Sequence, residues 1–370
     1  MATHLLQPDC LVLHDRLVVG AAVEVEDGVV TGVRDAAGDG ARRLAGTLLP
    51  GFVDLQVNGA GGRSVPEATR EALDHIAEAI ARTGTSGFLP TLITAPWDQL
   101  MQQAGAVAEW IENYRGRGAQ PLGIHLEGPF LVNPGAHDAA AMVDPTPERI
   151  DQMLTTCRGR LRLVTLAPSR RGAAEAVARL RSAGVSVALG HGVGSAGVVE
   201  CVAAGATVAT HLFNAMGPCS HRDPGMALAL LDRPEVSCSL ILDGYHLNPT
   251  IARQVLRSLG AARAVLISDS VAAAGMPEGT YRLGDKPVVL RGGAVRTEEG
   301  TLAGSALTMF AAADQLLQLW PEAGPWTVHR VAAHNPARLI GARGFGSIEV
   351  GARAQFNLLG ADGSWEVVAG

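Results

Sequence analysis

Short apolar, β-branched runs alternate along the chain with longer amphipathic stretches of helical period. The runs at 48–57, 88–91, 122–126, 163–167, 185–189, 207–210, 236–242 and 264–268 read as strands, and 69–83, 97–114, 172–183, 196–204 and 249–259 read as helices between them. Eight strand-then-helix units over about 290 residues match the count and size of a (β/α)8 TIM-type barrel better than a doubly wound open sheet.

Both ends of the chain depart from that pattern. Segments 11–14, 21–25 and 29–33 read as short strands around the Asp27-Gly28 turn, and the tail from Ser347 has the same character. Isolated hairpins of this length are marginal in water. The two ends are therefore expected to pair into one small β-sandwich domain, residues 1–48 with 345–370, flanking a barrel of residues 49–344. A hairpin-like segment near 280–301 follows the eighth strand and reads as a barrel insertion.

Composition narrows the class. With 370 residues, 47% hydrophobic and 18% charged, the chain is globular. No apolar run approaches the ~20 residues that span a bilayer, and the opening Met-Ala-Thr-His lacks a basic segment followed by an apolar one, so a cytoplasmic protein is expected. Five scattered cysteines argue against a disulfide framework and a thiolate zinc site. A net charge of −6 without a basic run makes nucleic acid and membrane poor partners, and an anionic substrate would need a local pocket of positive charge. Lys286 is the only lysine.

In a parallel barrel the chemistry gathers where strands end. Strand one runs into Asp54, Gln56 and Asn58, strand three into His125 and Glu127, strand five into His191, strand six into His211, strand seven into Asp243 and His246, and strand eight into Asp269. Glu127, His191 and His211 form a two-histidine, one-carboxylate set suited to a catalytic divalent ion with open positions. Asp269, opposite such an ion, could take a proton from water and return it to a leaving amine, as amide hydrolysis requires. Gly192-Val193-Gly194-Ser195-Ala196-Gly197 matches a dinucleotide fingerprint, but His211 stands where the ribose-binding acid belongs. Gly59-Ala60-Gly61-Gly62 lacks the lysine and hydroxyl of a phosphate loop and reads as a tight turn.

Several motifs in this order resemble the amidohydrolase superfamily, and within it the N-acetylglucosamine-6-phosphate deacetylases. They are Pro50-Gly51-Phe52-Val53-Asp54-Leu55-Gln56-Val57-Asn58-Gly59, His125-Leu126-Glu127-Gly128-Pro129-Phe130, Thr210-His211-Leu212-Phe213-Asn214-Ala215-Met216, Asp243-Gly244-Tyr245-His246, Asp269 with Ala272-Ala273-Ala274-Gly275, and Leu302-Ala303-Gly304-Ser305-Ala306-Leu307-Thr308-Met309. The resemblance implies that Glu127, His191 and His211 hold one divalent ion per subunit, zinc first, with iron or cobalt able to substitute. It implies Asp269 as acid and base, with a metal-bound water as nucleophile. His137 would bind substrate and polarise the acetyl carbonyl, and Asn214, Ala215 and Leu302 would contact the sugar. Arg222 and His246 would bind the phosphate, a site to which a neighbouring subunit can contribute. The implied reaction is hydrolysis of N-acetyl-D-glucosamine 6-phosphate to D-glucosamine 6-phosphate and acetate, in amino-sugar catabolism and cell-wall recycling, by a homodimer. Gln56 and Asn58 replace the His-x-His that binds a second metal in many superfamily members, and Lys286 falls in the insertion rather than on a strand where it could bridge two metals. This is the pattern of a single-metal subgroup. Hydrolysis of another N-acyl or cyclic amide, or silent phosphosugar binding, are the alternatives.

Overall fold

The computed structural model describes residues 3–35 and 40–370. Eight strands, Phe52–Val57, Thr85–Ile93, Ile124–Glu127, Leu161–Leu166, Ser186–Leu189, Val208–Ala209, Ser237–Leu240 and Ala264–Leu266, pair in parallel in chain order. Strand one meets strand eight through a parallel bridge from Val57 to Ser270 and a hydrogen bond from the Asn58 N–H to the Ser270 carbonyl at 2.8 Å. This is the barrel that the alternation predicts. Its strands read as unbroken apolar runs because both faces are covered: every residue of Thr85–Ile93 and of Phe52–Val57 is buried.

Helix limits follow local chemistry. Arg70–Ala81 starts after Thr69, whose hydroxyl accepts the Ala72 N–H at 3.2 Å, a cap worth about 1 kcal/mol. Asn248 caps Pro249–Arg263 in the same way, and proline at the first helical position costs no hydrogen bond.

Several strand limits differ from the sequence reading, three of them instructively. The run 48–57 is two strands, Arg42–Pro50 and Phe52–Val57, divided at Gly51. A Cβ there would collide with Ser86, and the Gly51 N–H is bound to the Gln355 carbonyl at 2.9 Å. Strands six and eight are shorter than 207–210 and 264–268, although the N–H groups of Thr207, Thr210 and Ile267 still bond neighbouring strand carbonyls; beyond these residues side-chain acceptors take over at the barrel mouth. His211 N–H donates to Ser239 Oγ at 2.7 Å, and Ser268 N–H to Asp54 Oδ1 at 3.2 Å.

The chain ends join in one seven-stranded sheet in the order Trp365–Ala369, Gln355–Leu359, Arg42–Pro50, Thr3–Val12, Ala22–Glu26, Val29–Arg34, with Leu17–Val19 beside Thr3–Val12. The sheet curls until its far edge returns to the C-terminal segment: Val30 N–H donates to Ala352 O, and Ala354 N–H to Gly28 O, each at 2.8 Å. Leu11, Val23, Val25, Val30, Leu48 and Phe356 thereby share a core separate from that of the barrel. The expected sandwich is thus drawn from one continuous sheet.

The insertion is three-stranded, Gly279–Leu283, Lys286–Arg291 and Ala294–Arg296. It leaves the barrel after strand eight and packs Leu283, Val288, Leu290 and Val295 against Ile93, Val271 and Ala303. It therefore walls one side of the end where the strands present their polar residues.

Candidate active site

Side chains two apart on a strand share a face, so His125 and Glu127 both point into the barrel while Leu126 points to the helices. His125 lies beneath the site, fully buried between the hydroxyls of Thr165, at 2.9 Å, and Thr91, at 3.3 Å. Burial pushes its pKa down to about 4, which keeps it neutral. Glu127 is the meeting point above it. Its Oε1 lies 2.8 Å from His211 Nε2 and 3.3 Å from His191 Nε2, the two imidazole nitrogens stand 3.2 Å apart, and Oε2 lies 3.4 Å from His137 Nε2. Burial alone would raise the Glu127 carboxyl, but contacts with these three histidines hold it well below the usual range.

The donor atoms are prepared for a cation. His191 Nδ1 lies 2.9 Å from the Asn133 carbonyl oxygen, which can only accept, so Nδ1 carries the proton and Nε2 offers a lone pair. Glu127 Oε1, His191 Nε2 and His211 Nε2 face one another at 2.8, 3.2 and 3.3 Å, and their lone pairs repel unless a proton or a cation stands between them. Ligands of a zinc-sized ion stand roughly 3.0–3.5 Å apart, which the two separations from His191 Nε2 meet, while Glu127 Oε1 and His211 Nε2 stand slightly closer. Ligand-type atoms of Glu127, His137 and His191 also lie within 4.8 Å of one another. His137 differs in its tautomer: Nδ1 accepts the Thr94 N–H at 3.3 Å, which leaves the proton on Nε2.

Asp269 stands beside this group on the end of strand eight. Its Oδ1 accepts two amide hydrogen bonds, from Gln56 Nε2 at 3.0 Å and Asn58 Nδ2 at 2.8 Å, and Gln56 Nε2 also donates to Glu127 Oε1 at 2.9 Å. Gln56 and Asn58, read from sequence only as poor ligands, thus bind the two carboxylates. Burial, reinforced by the negative Glu127, pushes Asp269 up to about 8. A cation in the adjacent site opposes that shift. Asp54, two residues before Gln56, ties strand one to strand eight through the Ser268 hydroxyl and backbone N–H, and burial raises it to about 6.

Backbone strain marks the same residues. His191, His211 and Asp269 have φ of 51°, 31° and 48°, a region that side chains with a Cβ rarely occupy. Surrounding bonds compel it: the His191 carbonyl accepts from Val132 and Asn133, and the Asp269 carbonyl from Ser305 at 2.9 Å.

Glu127, His137, His191, His211, Asn214, Ala215, His246, Asp269 and Leu302 line one cavity of about 420 Å³. Arg222 does not line it; that side chain is exposed on the turn where Ser220 Oγ accepts the Arg222 and Asp223 N–H groups. His246 is held through Nδ1, 2.7 Å from Asp243 Oδ2. Burial would raise Asp243, but His246 and the backbone N–H groups of Tyr245 and His246 hold it below its ordinary value. Sequence reasoning missed three participants: Thr94, which sets the His137 tautomer, Lys286, which reaches the His137 loop, and Arg296, which lines the cavity. Arg296 had no signal in the chain, since it lies in the insertion rather than at a strand end. A larger cleft of about 1090 Å³ between the terminal sheet and the barrel contains none of these groups, so size does not locate the chemistry.

Comparison with known proteins agrees with the geometry. A model of the amidohydrolase family matches residues 47–368. The chain is 34% identical over 356 residues to an N-acetylgalactosamine-6-phosphate deacetylase of Escherichia coli O157:H7, covering 95% of this chain and 94% of that one. It is 33% identical over 324 residues to an N-acetylglucosamine-6-phosphate deacetylase of Vibrio furnissii, covering 86% and 80%. Among solved structures, a mutant N-acetyl-D-glucosamine-6-phosphate deacetylase from Mycobacterium smegmatis, in complex with N-acetyl-D-glucosamine-6-phosphate, superimposes with a TM-score of 0.91 at 33% identity, covering 99% of each chain. The chain belongs to the amidohydrolase family and is a metal-dependent amide hydrolase.

Proposed function

We propose that this protein hydrolyses N-acetyl-D-glucosamine 6-phosphate to D-glucosamine 6-phosphate and acetate. The observation that carries the reading is the convergence of Glu127, His191 and His211 with Asp269 and His137 on one cavity, in a chain whose relatives are deacetylases of phosphorylated N-acetyl amino sugars. Glu127, His191 and His211 are the ligands. His137 stays outside that set because its Nε2 keeps a proton. A divalent cation there supplies Lewis acidity and a more acidic water. The donor set suits zinc, with iron or cobalt as substitutes.

The chain's own groups divide the remaining work. His137 Nε2–H donates to the acetyl carbonyl oxygen and to the charge that grows on it as water adds. Asp269 takes the proton of that water and delivers it to the amide nitrogen, after which the C–N bond breaks and acetate and the free amine leave. Gln56 and Asn58 occupy Asp269 Oδ1 and so leave Oδ2 for the proton. Asn214, held by its Nδ2–H to the His211 carbonyl at 3.0 Å, contacts the sugar together with Ala215 and Leu302. We assign the protein to amino-sugar catabolism and cell-wall recycling in the cytoplasm, as a homodimer. No helix among the described residues is long and apolar enough to cross a membrane.

Acetate release from four sugars tests the reading: the gluco and galacto N-acetyl epimers, each with and without the 6-phosphate. The gluco phosphate should have the highest kcat/KM. Preference for the galacto phosphate would move the assignment to the activity named for the Escherichia coli relative, and indifference to phosphate would overturn it in favour of another amide.

A further inference from the structure

Beneath Glu127, His191 and His211, four polar side chains cross the barrel in contact with one another. Thr91, His125, Thr165 and Thr210 are each no more than 2% exposed, and they stand on or directly after strands two, three, four and six. Below them the barrel interior is apolar, filled by residues such as Val53, Leu89, Leu163, Ala188 and Val208. Polar groups buried against such a layer cost free energy unless they are bonded.

Here the bonds run in one direction. Thr91 Oγ1 donates to the Leu89 carbonyl at 3.1 Å, an atom that can only accept. With its one proton so placed, Thr91 Oγ1 accepts from the Val57 N–H at 3.1 Å and from His125 Nδ1 at 3.3 Å. His125 therefore carries its proton on Nδ1, and its Nε2 accepts from the Thr165 hydroxyl at 2.9 Å. Thr165 Oγ1 in turn accepts from Thr210 Oγ1 at 2.7 Å. That last contact passes strand five at Gly190, where a Cβ would lie 3.1 Å from both threonines.

Each part of this chain adjoins one of the three residues above it. Thr210 precedes His211, Gly190 precedes His191, and His125 is two residues before Glu127 on the same face of strand three. The left-handed φ of His191 and His211, 51° and 31°, begins directly after residues that the chain fixes.

We propose that His125 is a positioning residue whose two ring nitrogens close a hydrogen-bonded chain from Thr210 to Thr91 and thereby set the spacing of Glu127, His191 and His211 for a cation. This rests on the reading of those three residues as the ligands. His125 does not line the cavity, so it acts through the strands it joins rather than on substrate. The chain holds the strands against the mutual repulsion of the ligand atoms before the ion arrives, which lowers the cost of assembling the site.

The test measures zinc affinity of the folded apoprotein by competition with a chromophoric chelator, for wild type, His125→Phe, His125→Gln, Thr165→Val, Thr210→Val and Leu163→Ala. His125→Phe and Thr165→Val keep bulk and lose bonds, and each should weaken zinc binding by about 10- to 100-fold. His125→Gln supplies a donor and an acceptor and should recover part of the loss. Thr210→Val removes only the end of the chain and should cost about 3- to 10-fold, which keeps the test open if the more central variants do not fold. Leu163→Ala, a lesion in the apolar layer, should lower Tm yet leave zinc affinity within about 3-fold of wild type. Unchanged affinity in the chain variants, or an equal loss in Leu163→Ala, would overturn the role of His125 while leaving the ligand assignment standing. If wild type itself binds no zinc, the ligand assignment is wrong and the proposal falls with it.

Discussion

Lys286 donates from Nζ to the backbone carbonyl of His137 at 2.9 Å, and to that of Ala136 at 3.0 Å. The only lysine in the chain thus fastens the insertion to the loop that carries His137. Thr94 sets the ring of that histidine while Lys286 sets its backbone, so two separate elements locate Nε2 over the cavity.

Lys286→Met should therefore lower kcat by about 10-fold with bound metal unchanged. An ammonium-to-carbonyl bond is worth roughly 1.5–3 kcal/mol when shielded and less where solvent reaches it, as it does here. Lys286→Arg should restore most of the rate. Steady-state kinetics beside elemental analysis decides the matter, and a change confined to KM would show that the contact does not act through His137.

Asp269→Asn keeps shape and removes the proposed proton carrier. It should retain the ion and lose at least ~100-fold in kcat. Glu127→Gln and His211→Ala should lose ion and activity together. Near-normal turnover by Asp269→Asn would rule out Asp269 as the acid and base.

Metal content is a separate expectation. One divalent ion per chain should survive gentle purification, and a chelator should abolish acetate release, with recovery on adding zinc. Two ions at full occupancy would mean that Gln56 and Asn58 ligate a metal instead of donating to Asp269 and Glu127.

Acid stability has its own prediction. His329, fully buried, donates from Nε2 to the Gly346 carbonyl at 2.9 Å. Burial lowers its pKa from 6.5 to about 4. As pH falls below 6.5 the unfolded chain takes up this proton before the folded one, so stability is complete above 6.5 and declines until about pH 4. The full effect is on the order of 3 kcal/mol. His329→Gln keeps a donor for Gly346 and does not titrate, so its Tm should fall less than that of wild type between pH 6.5 and pH 4. Parallel Tm curves for the two proteins would show that His329 is not buried neutral.

Chain order alone carries the barrel and the ligand types, because strand and helix periods are local and a strand's last residues are set by the strand itself. That Glu127, His191, His211 and Asp269 meet at one mouth of the barrel was legible for that reason. Folding decided which distant residues meet. Gln56 bonds Asp269 across 213 positions, and Lys286 reaches His137 across 149. No local period encodes such pairs; they depend on barrel closure and on where the insertion lands. Folding also removed Arg222 from its own chain's cavity and brought Arg296 to it, since proximity to a ligand strand in sequence does not set the direction in which a loop leaves the barrel.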